Sequence, residues 1–307
     1  MGTKQVRSRL PDFLVIGAQK SGTTSLFVLL KKHPHIYLPA QKEVQFFSSE
    51  MLYAKGLEWY RDENFRTGGL EGVAGEISPQ YMMYQKVPAR IEAALPKVKL
   101  IAILRHPLRR AFSQYQMNVR RELEKRDFPD AFRGSLDAYT QGRCLPEAES
   151  YYQFSNYAEI LAEYLRLFPK ERMLILFQED LARAPGDLLL KIHDFLGVAR
   201  DLPSDAHVRA NPAGIVRSKR LDRFSKRPSM LRALLKPVIP SRFRGSIRFW
   251  LEIKNTKPVA SSECPDDVLR EHAGIVLEQA RFLEEQFGVV APWGQESQRP
   301  KGQSESR

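Results

Sequence analysis

We expect this sequence to fold as one α/β domain, with a central parallel sheet and helices on both faces. Short apolar runs predict strands at 13–17, 99–104 and 172–177. Helical patterns are found at 24–32, 108–121, 156–168, 185–196 and 266–287. Because strands alternate with helices along the chain, a parallel sheet is favoured over an antiparallel one.

The length of 307 residues suits one large domain with a substantial core. We place this domain at 11–293 and expect flexible tails at 1–10 and 295–307. Residues 209–257 are rich in Pro, Ser and Arg and lack clear periodicity. We interpret them as a basic excursion or lid within the domain.

The positive charge of the chain is concentrated in that segment. The formal net charge is +12, and residues 209–257 carry 14 Lys or Arg against two acids. A nucleic-acid-binding protein would more often spread its basic surface, so no nucleic acid partner is expected. Three interpretations stay open: a solvated face, a lid that donates to a bound ligand, and a site for an anionic acceptor or a membrane surface. Apolar residues between the cations would suit peripheral membrane contact through an interfacial helix.

Cysteine and apolar content favour a cytoplasmic protein. The two cysteines, Cys144 and Cys264, exclude a disulfide framework. No run approaches the roughly 20 apolar residues of a membrane span, and the first ten residues lack the apolar core of a signal peptide. His33 and His35 have no carboxylate or Cys at metal-ligand spacing, so no metal site is predicted.

A polar loop separates the first predicted strand from its helix. Residues 17–24 are G-A-Q-K-S-G-T-T, and this placement directs backbone N–H groups and the positive end of the helix dipole at one anion. The glycine spacing matches the Walker A pattern, but Thr23 stands where that pattern has Lys, and the lysine lies at Lys20. A P-loop NTPase or small-molecule kinase, with Glu179-Asp180 as the Mg²⁺-binding acids, remains an alternative.

A second anion site is predicted at the end of the second strand. Arg105 follows strand 99–104, at the edge where open α/β sheets bind ligands. Ser113 lies in the next helix, and an Arg fork with a Ser hydroxyl suits a phosphate. Two such sites would suit a nucleotide that is phosphorylated at both its 5′ and 3′ ends. We interpret Arg109 and Arg110 on the same helix as solvated.

Several of these segments resemble those of one enzyme family. PDFLVIGAQKSGTTSL (11–26) looks like the 5′-phosphosulfate loop of sulfotransferases that use PAPS (3′-phosphoadenosine 5′-phosphosulfate). LIAILRHPLRRAFSQY (100–115) looks like their 3′-phosphate motif. KEVQFF (42–47) and GEISPQYM (75–82) are similar to elements of the heparan sulfate sulfotransferase branch. The resemblance is good over 11–200, and it implies a P-loop-like strand–loop–helix that binds the phosphosulfate.

The resemblance also implies which residues bind the donor. The 5′-phosphosulfate would be held by Lys20, Ser21, Gly22, Thr23, Thr24 and Ser25. The 3′-phosphate would be held by Arg105 and Ser113. A weakly patterned loop that includes Arg217 and Lys219 would add further donors to PAPS.

Catalytic roles follow from the same resemblance. Glu43 would be the general base and Lys20 would neutralise the leaving phosphate, with no metal. Without the resemblance, Lys42-Glu43 would be interpreted as a solvated pair. Glu76 is an alternative base. Ile77 replaces a lysine that the branch carries near its acceptor, which weakens the case for a polysaccharide acceptor.

The implied reaction is in-line transfer of a sulfuryl group from PAPS to an acceptor hydroxyl or amine, with 3′-phosphoadenosine 5′-phosphate (PAP) as product. By analogy with phosphoryl transfer, it demands alignment and charge stabilisation. A carbohydrate, a lipid and a specialised metabolite all remain open as acceptors. A second alternative to the enzyme is a non-catalytic anion-binding or nucleic-acid-binding protein that uses residues 209–257.

Overall fold

In the described part of the chain, five parallel strands form the centre of the molecule. The computed structural model describes residues 8–66, 71–203, 214–216, 256–258 and 263–296. The strands of the sheet are β1 (Phe13–Gly17), β2 (Ile36–Tyr37), β3 (Val73–Ile77), β4 (Lys99–Leu104) and β5 (Met173–Phe177). They lie in the order β2–β3–β1–β4–β5, and every adjacent pair is parallel.

β1 is the central strand, as its sequence leads one to expect. All five of its residues are buried, which suits an apolar run covered on both faces. β3 and β4 pair with its two sides, with Leu14 opposite Glu76 and Val15 opposite Ile101. The carboxyl ends of β1, β3 and β4 therefore meet at one edge of the sheet, and the loops that follow them carry the predicted site residues.

Helices surround the sheet in the described ranges. They are α1 (Thr23–Leu30), α2 (Glu50–Tyr53), α3 (Gly56–Asn64), α4 (Val87–Ala94), α5 (Pro107–Arg120), α6 (Phe128–Thr140), α7 (Tyr157–Leu165), α8 (Gln178–Arg183), α9 (Pro185–Leu196), α10 (Asp266–Glu271), α11 (Ala273–Phe287) and α12 (Pro292–Glu296). Short 3₁₀ turns lie at Pro79–Met83, Glu147–Glu149, Gln153–Ser155 and Lys170–Arg172. Among the described residues, no helix has the length and apolarity that crossing a membrane requires.

Two apolar clusters lie on opposite faces of the sheet. Side chains alternate along β1, so Val15 packs in one cluster with Leu26 of α1 and Leu188 of α9. Leu14 and Ile16 pack in the other cluster, which contains residues of α5, α7 and α11. Helices therefore cover both faces of a central parallel sheet, and the predicted fold class is confirmed.

Several predicted elements have the observed bounds, and others do not. The strands at 13–17 and 99–104 and the helix at 185–196 agree with the structure. The single helix predicted at 266–287 is instead two helices, α10 and α11, which are separated at His272. The sequence pattern predicts neither β2 nor β3, although β3 pairs with the central strand.

Most of the predicted basic excursion at 209–257 lies outside the described residues. Two short strands are described within it and at its end, β6 (Gly214–Val216) and β7 (Thr256–Pro258), and they pair in antiparallel register. Arg217 and Lys219, the predicted donors to PAPS, lie outside the described residues. The same holds for 1–7 and 297–307 of the predicted tails. Ser8 is described, and its hydroxyl donates to Asp62 Oδ1 at 2.8 Å.

Candidate active site

The loop from Gly17 to Gly22 connects β1 to α1 at the carboxyl edge of the sheet. The backbone N–H of Ala18 donates to Ile103 O at 2.8 Å, which ties the loop to β4. Gly22 has φ +89°, in the left-handed region that favours glycine, directly before the first residue of α1. A Cβ on Gly17 would lie 2.2 Å from Met82 Sδ. Both glycines are therefore required by the local geometry.

The N-terminus of α1 is open to an anion. Among the described residues, no side chain caps it, and its first turn contains no acid. The first N–H groups of a helix lack partners within the helix and carry partial positive charge. Ser21 and Thr23 are buried, whereas Gly22, Thr24 and Ser25 are half-buried. The half-buried residues form the part of the loop that a ligand can reach.

Lys20 lies in this loop with φ +73°, and its side chain approaches α5. Its Nζ lies 4.0 Å from Met117 Sδ. Burial lowers the pKa of Lys20 to about 8. Nearby positive charges add to this effect, and they belong to Arg120, Arg121, Arg105 and Arg110. Cations thus converge on one place, and this convergence favours the binding of a multiply charged anion.

Arg105 stands at the carboxyl end of β4 and contacts the loop between β1 and α1. Its Nη1 donates to Lys20 O at 3.3 Å, and burial lowers the pKa of its guanidinium. Ser113 is half-buried on α5, one helical turn before Met117, so it lies on the helix face that approaches Lys20. The structure therefore brings Arg105, Lys20 and the Ser113 face of α5 to one region.

Arg110 is fully buried, so the prediction that it is solvated is wrong. Its Nε donates to Ser155 Oγ at 2.7 Å, and its Nη2 donates to Gln114 Oε1 at 2.9 Å and to Tyr151 O at 2.8 Å. Burial lowers its pKa to about 10. Arg110 thus fastens the 151–155 segment to α5, and its charge also acts on Lys20.

The segment 42–47 is fastened to the chain that follows β3. The backbone N–H of Glu43 donates to Ile77 O at 3.1 Å, and that of Gln45 donates to Ser78 Oγ at 3.1 Å. The adjacent Phe46 and Phe47 are buried in the apolar cluster that also contains Leu14. Hydrogen bonds and apolar packing therefore fix the backbone that carries Glu43 beside the carboxyl end of β3.

The carboxylate of Glu43 has a partner at each oxygen. Oε1 forms an ion pair with Lys42 Nζ, and Oε2 accepts a hydrogen bond from Gln80 Nε2 at 2.9 Å. Burial acts to raise the pKa of Glu43, but the charge of Lys42 and these hydrogen bonds outweigh it, so the pKa is lowered. The charge of Lys20 acts in the same direction. Because 32% of the Glu43 side chain is exposed, a substrate can reach it.

Glu76, the alternative base, occupies a different environment. It is 1% exposed, and its Oε2 accepts a hydrogen bond from Tyr60 Oη at 2.7 Å. Burial raises its pKa, which hydrogen bonds from Tyr81, Tyr60 and Ser78 partly offset. A carboxyl enclosed in this way is not within reach of a substrate, which favours Glu43 as the base.

Glu179, the acid that could serve a nucleoside triphosphatase, instead supports the turn after β4. Its Oε1 accepts a hydrogen bond from the backbone N–H of His106 at 3.1 Å. Its charge also interacts with that of Arg105. Within the described ranges, no group of three or more His, Cys, Asp or Glu is arranged to hold a metal ion. Glu179 therefore stabilises the turn after β4 and interacts with the charge of Arg105.

Comparison with known proteins decides the family. A family model described as "Sulfotransferase domain" matches residues 10–227. This chain belongs to the sulfotransferase family. Membership favours neither the NTPase or kinase alternative nor the non-catalytic binding protein. The crystal structure of a sulfotransferase from Alicyclobacillus acidocaldarius aligns with a TM-score of 0.55 at 26% identity, covering 80% of this chain and 97% of that one.

Relatives of the sulfotransferase come from the heparan sulfate branch that the sequence motifs resemble. The chain is 35% identical over 211 residues to heparan sulfate glucosamine 3-O-sulfotransferase 3A1 of Mus musculus. The aligned region covers 68% of this chain and 50% of that protein. The chain is also 34% identical over 205 residues to bifunctional heparan sulfate N-deacetylase/N-sulfotransferase 4 of Mus musculus. That alignment covers 62% of this chain and 22% of that protein. The chain thus spans half or less of these relatives.

Sequence reasoning misses two residues that contact the predicted base. Without the family resemblance Lys42 is interpreted as solvated, yet only 6% of its side chain is exposed. Gln80 has no assigned role, yet it donates to Glu43. The signal for Gln80 is its place two residues after Ser78 in the GEISPQYM motif. No sequence pattern indicates the enclosure of Lys42.

Proposed function

We propose that this sulfotransferase moves a sulfuryl group from PAPS to a hydroxyl or amine of an anionic glycan and releases PAP. One observation carries the proposal: Arg105 Nη1 donates to Lys20 O at 3.3 Å, so the two anion sites are contiguous. A nucleotide with a 5′-phosphosulfate and a 3′-phosphate matches two such sites. Family membership supports the same donor.

In this proposal, residues of two loops hold the donor. PAPS supplies the sulfuryl group and a phosphate leaving group. Lys20 and the half-buried residues of the 17–25 segment hold its 5′ end, and Arg105 with Ser113 holds the 3′-phosphate. Lys20 stabilises the negative charge that develops on the leaving phosphate. Contacts from Arg217 and Lys219 stay predictions.

Glu43 acts on the acceptor. Its lowered pKa keeps it ionised near neutral pH, and its partial exposure lets an acceptor hydroxyl or amine approach. The proton of that group passes to the carboxylate as the new bond to sulfur forms. The charge of Lys20 also acts on Glu43, which supports one site shared by the base and the leaving-group cation.

A negatively charged acceptor is supported by the cations at the end of α5. Arg120 and Arg121 are exposed there, and both lower the pKa of Lys20. Ile77 is 1% exposed and packs in the cluster that contains Val15. The positive charge beside the site therefore comes from α5, not from position 77. The relatives are named for heparan sulfate, an anionic glycan.

A screen of acceptors with radiolabelled PAPS tests the function. Heparan sulfate, an N-desulfated form of it, neutral oligosaccharides, a glycolipid and a simple phenol should be compared at equal concentrations. We expect transfer to the anionic glycans and weak transfer to the neutral compounds. Mapping the label to oxygen or nitrogen then separates O-sulfation from N-sulfation. Label transfer to none of the glycans would overturn the acceptor class, and absence of PAP binding would overturn the donor.

A chelator separates this function from nucleotide hydrolysis. Because Lys20 and the loop N–H groups supply the positive charge, we expect turnover to persist in EDTA. Mg²⁺-dependent hydrolysis of ATP would instead favour the NTPase. The cytoplasmic location and the membrane contact of residues 209–257 stay predictions, and vesicle binding by the full chain would test the second.

A further inference from the structure

The side chain of Lys42 is almost entirely enclosed. It is 6% exposed, whereas Lys86, which also pairs with a glutamate, is 43% exposed. Removing an ammonium from water is costly unless a partner neutralises it. The ion-pair partner of Lys42 is the adjacent Glu43. An enclosed cation thus lies directly beside the carboxylate assigned as the base.

The backbone is shaped so that these neighbours can meet. Successive side chains of an extended chain point to opposite sides. Glu43 instead has φ +64°, a left-handed conformation that is unfavourable for a residue with a Cβ. The hydrogen bond from Glu43 N to Ile77 O and that from Gln45 N to Ser78 Oγ hold this segment in place. The surrounding fold therefore maintains the Lys42–Glu43 pair against a local preference.

We propose that Lys42 is a positioning residue for the base: together with Gln80, it fixes both oxygens of Glu43 and holds the carboxylate ready beside the anion site. This inference rests on the assignment of Glu43 as the base. The two partners approach different oxygens, Oε1 and Oε2. Each carboxylate oxygen has more than one acceptor position, so the acceptor group can still donate to Glu43.

The pair also changes charge during the reaction. The acceptor oxygen or nitrogen forms a bond to sulfur, and the bond between sulfur and the bridging phosphate oxygen breaks. The electron pair of that bond stays on PAP, and the acceptor proton passes to Glu43. Lys42 then loses its counter-charge at the moment when PAP gains negative charge.

The pH dependence of turnover reports this role. Within the described residues, the groups that act on Glu43 are Lys42 on its own segment, Gln80 from the turn after β3 and Lys20 from the loop between β1 and α1. In Lys42→Met, burial still acts to raise the pKa of Glu43, but the positive charge and the hydrogen bond by which Lys42 lowers this pKa are lost. Glu43 is active when ionised, so the acidic limb of kcat against pH should move to higher pH.

Three measurements define the expected result with heparan sulfate as the acceptor probe. In Lys42→Met, kcat should fall roughly 10- to 100-fold, the size expected for one lost charge-assisted hydrogen bond. The Kd of PAP should stay within about twofold, because Lys42 does not belong to the donor site. Lys42→Arg should recover most of kcat and the original acidic limb. Lys42→Gln, which keeps a donor without the charge, should move the limb as Lys42→Met does.

A matched control and a direct titration complete the test. Lys86→Met breaks an exposed Lys–Glu pair with Glu50 and should leave kcat and its pH profile unchanged. ¹³C NMR of glutamate-labelled protein, assigned with Glu43→Gln, should show that Glu43 titrates at higher pH in Lys42→Met. This titration requires no acceptor, and a PAP-induced rise in Tm confirms that each variant is folded.

The outcomes distinguish the two assignments. An unchanged titration and pH profile in Lys42→Met, with Glu43→Gln inactive, would overturn the role of Lys42 and leave the base in place. Full turnover in Glu43→Gln would remove the base, and the role of Lys42 with it. If the acidic limb of kcat against pH shifts in Lys42→Met and returns to its original position in Lys42→Arg, both the base and the role of Lys42 are supported.

Discussion

Tyr157 Oη donates a hydrogen bond to the carbonyl oxygen of Arg105 at 2.9 Å. Tyr157 is fully buried at the start of α7, so a distant helix fixes the residue that directly follows β4. The guanidinium of Arg105 in turn contacts the loop after β1 through Lys20 O. The proposed donor site thus depends on packing between segments that are far apart in the sequence.

Arg105→Ala should remove most of the discrimination between PAP and AMP, which lacks the 3′-phosphate. Loss of a charged hydrogen bond costs roughly 1.5–3 kcal/mol, so PAP should bind more weakly while AMP changes little. Isothermal titration calorimetry with both nucleotides measures the difference. Arg200→Ala, which breaks an exposed ion pair with Asp194, is the control. Equal weakening of both nucleotides would show that Arg105 does not recognise the 3′-phosphate.

The affinity for PAP should fall as the pH rises through about 8. Burial lowers the pKa of Lys20 to about 8 in the nucleotide-free protein, so its ammonium is present below this pH and lost above it. An anion favours the protonated form, and PAP binding at pH 9 should therefore take up a proton. Calorimetry in buffers of different ionisation enthalpy detects this uptake. Lys20→Met should bind PAP more weakly and without the pH dependence; proton uptake that persists there would assign it elsewhere.

Glu43→Gln should lose roughly 10²- to 10⁴-fold in kcat, the usual cost of removing a positioned base. Gln keeps the size and hydrogen-bonding ability of the side chain but cannot accept the proton. The Kd of PAP should be nearly unchanged. Turnover and PAP binding are the paired measurements.

Glu76→Gln provides the comparison for Glu43→Gln. Because Glu76 is enclosed and accepts a hydrogen bond from Tyr60, its substitution should lower Tm more than Glu43→Gln does. Folded Glu76→Gln should retain most of its turnover. Selective loss of turnover in Glu76→Gln, with Glu43→Gln active, would transfer the role of base to Glu76.

Gly17→Ala should destabilise the fold, because the new Cβ would lie 2.2 Å from Met82 Sδ. Overpacking of this kind typically costs about 1–3 kcal/mol, and urea unfolding measures it. Met82→Ala in the same chain should recover part of the loss. Gly274→Ala in α11 meets no atom within 4 Å and should be neutral or stabilising, since Ala favours helix over Gly. Equal stability of Gly17→Ala and the original chain would contradict the packing argument.

The sequence predicts those strands that consist almost entirely of apolar residues. β1 and β4 are continuous apolar runs, so both their existence and their bounds can be inferred. β3 is V-A-G-E-I, in which a carboxyl interrupts the apolar pattern. Glu76 is tolerated there because Tyr60 donates to it, and this contact depends on tertiary structure. A strand with a buried, hydrogen-bonded acid therefore escapes a pattern based on hydrophobicity.

In the candidate site, too, some features can be predicted from the local sequence and others cannot. The places of Lys20 and Arg105 follow from strand ends and turn chemistry, which are local. The burial of Arg110 is not local, because it is created by contacts with Ser155 and Tyr151. The low exposure of Lys42 is likewise not visible in the sequence around it. A charged residue next to a motif is usually solvated, so the sequence alone favours the wrong interpretation for both.

The antiparallel pairing of β6 with β7 places the two ends of the segment between these strands next to each other. Val216 lies opposite Thr256, so the polypeptide leaves and returns within one interstrand spacing, about 5 Å. A tight two-residue turn can bridge such a gap. The 39 residues from 217 to 255 can therefore be treated as an exchangeable cassette. Replacing this stretch, which contains Arg217 and Lys219, by the corresponding stretch of another sulfotransferase would show whether it contributes to PAPS binding or to the choice of acceptor.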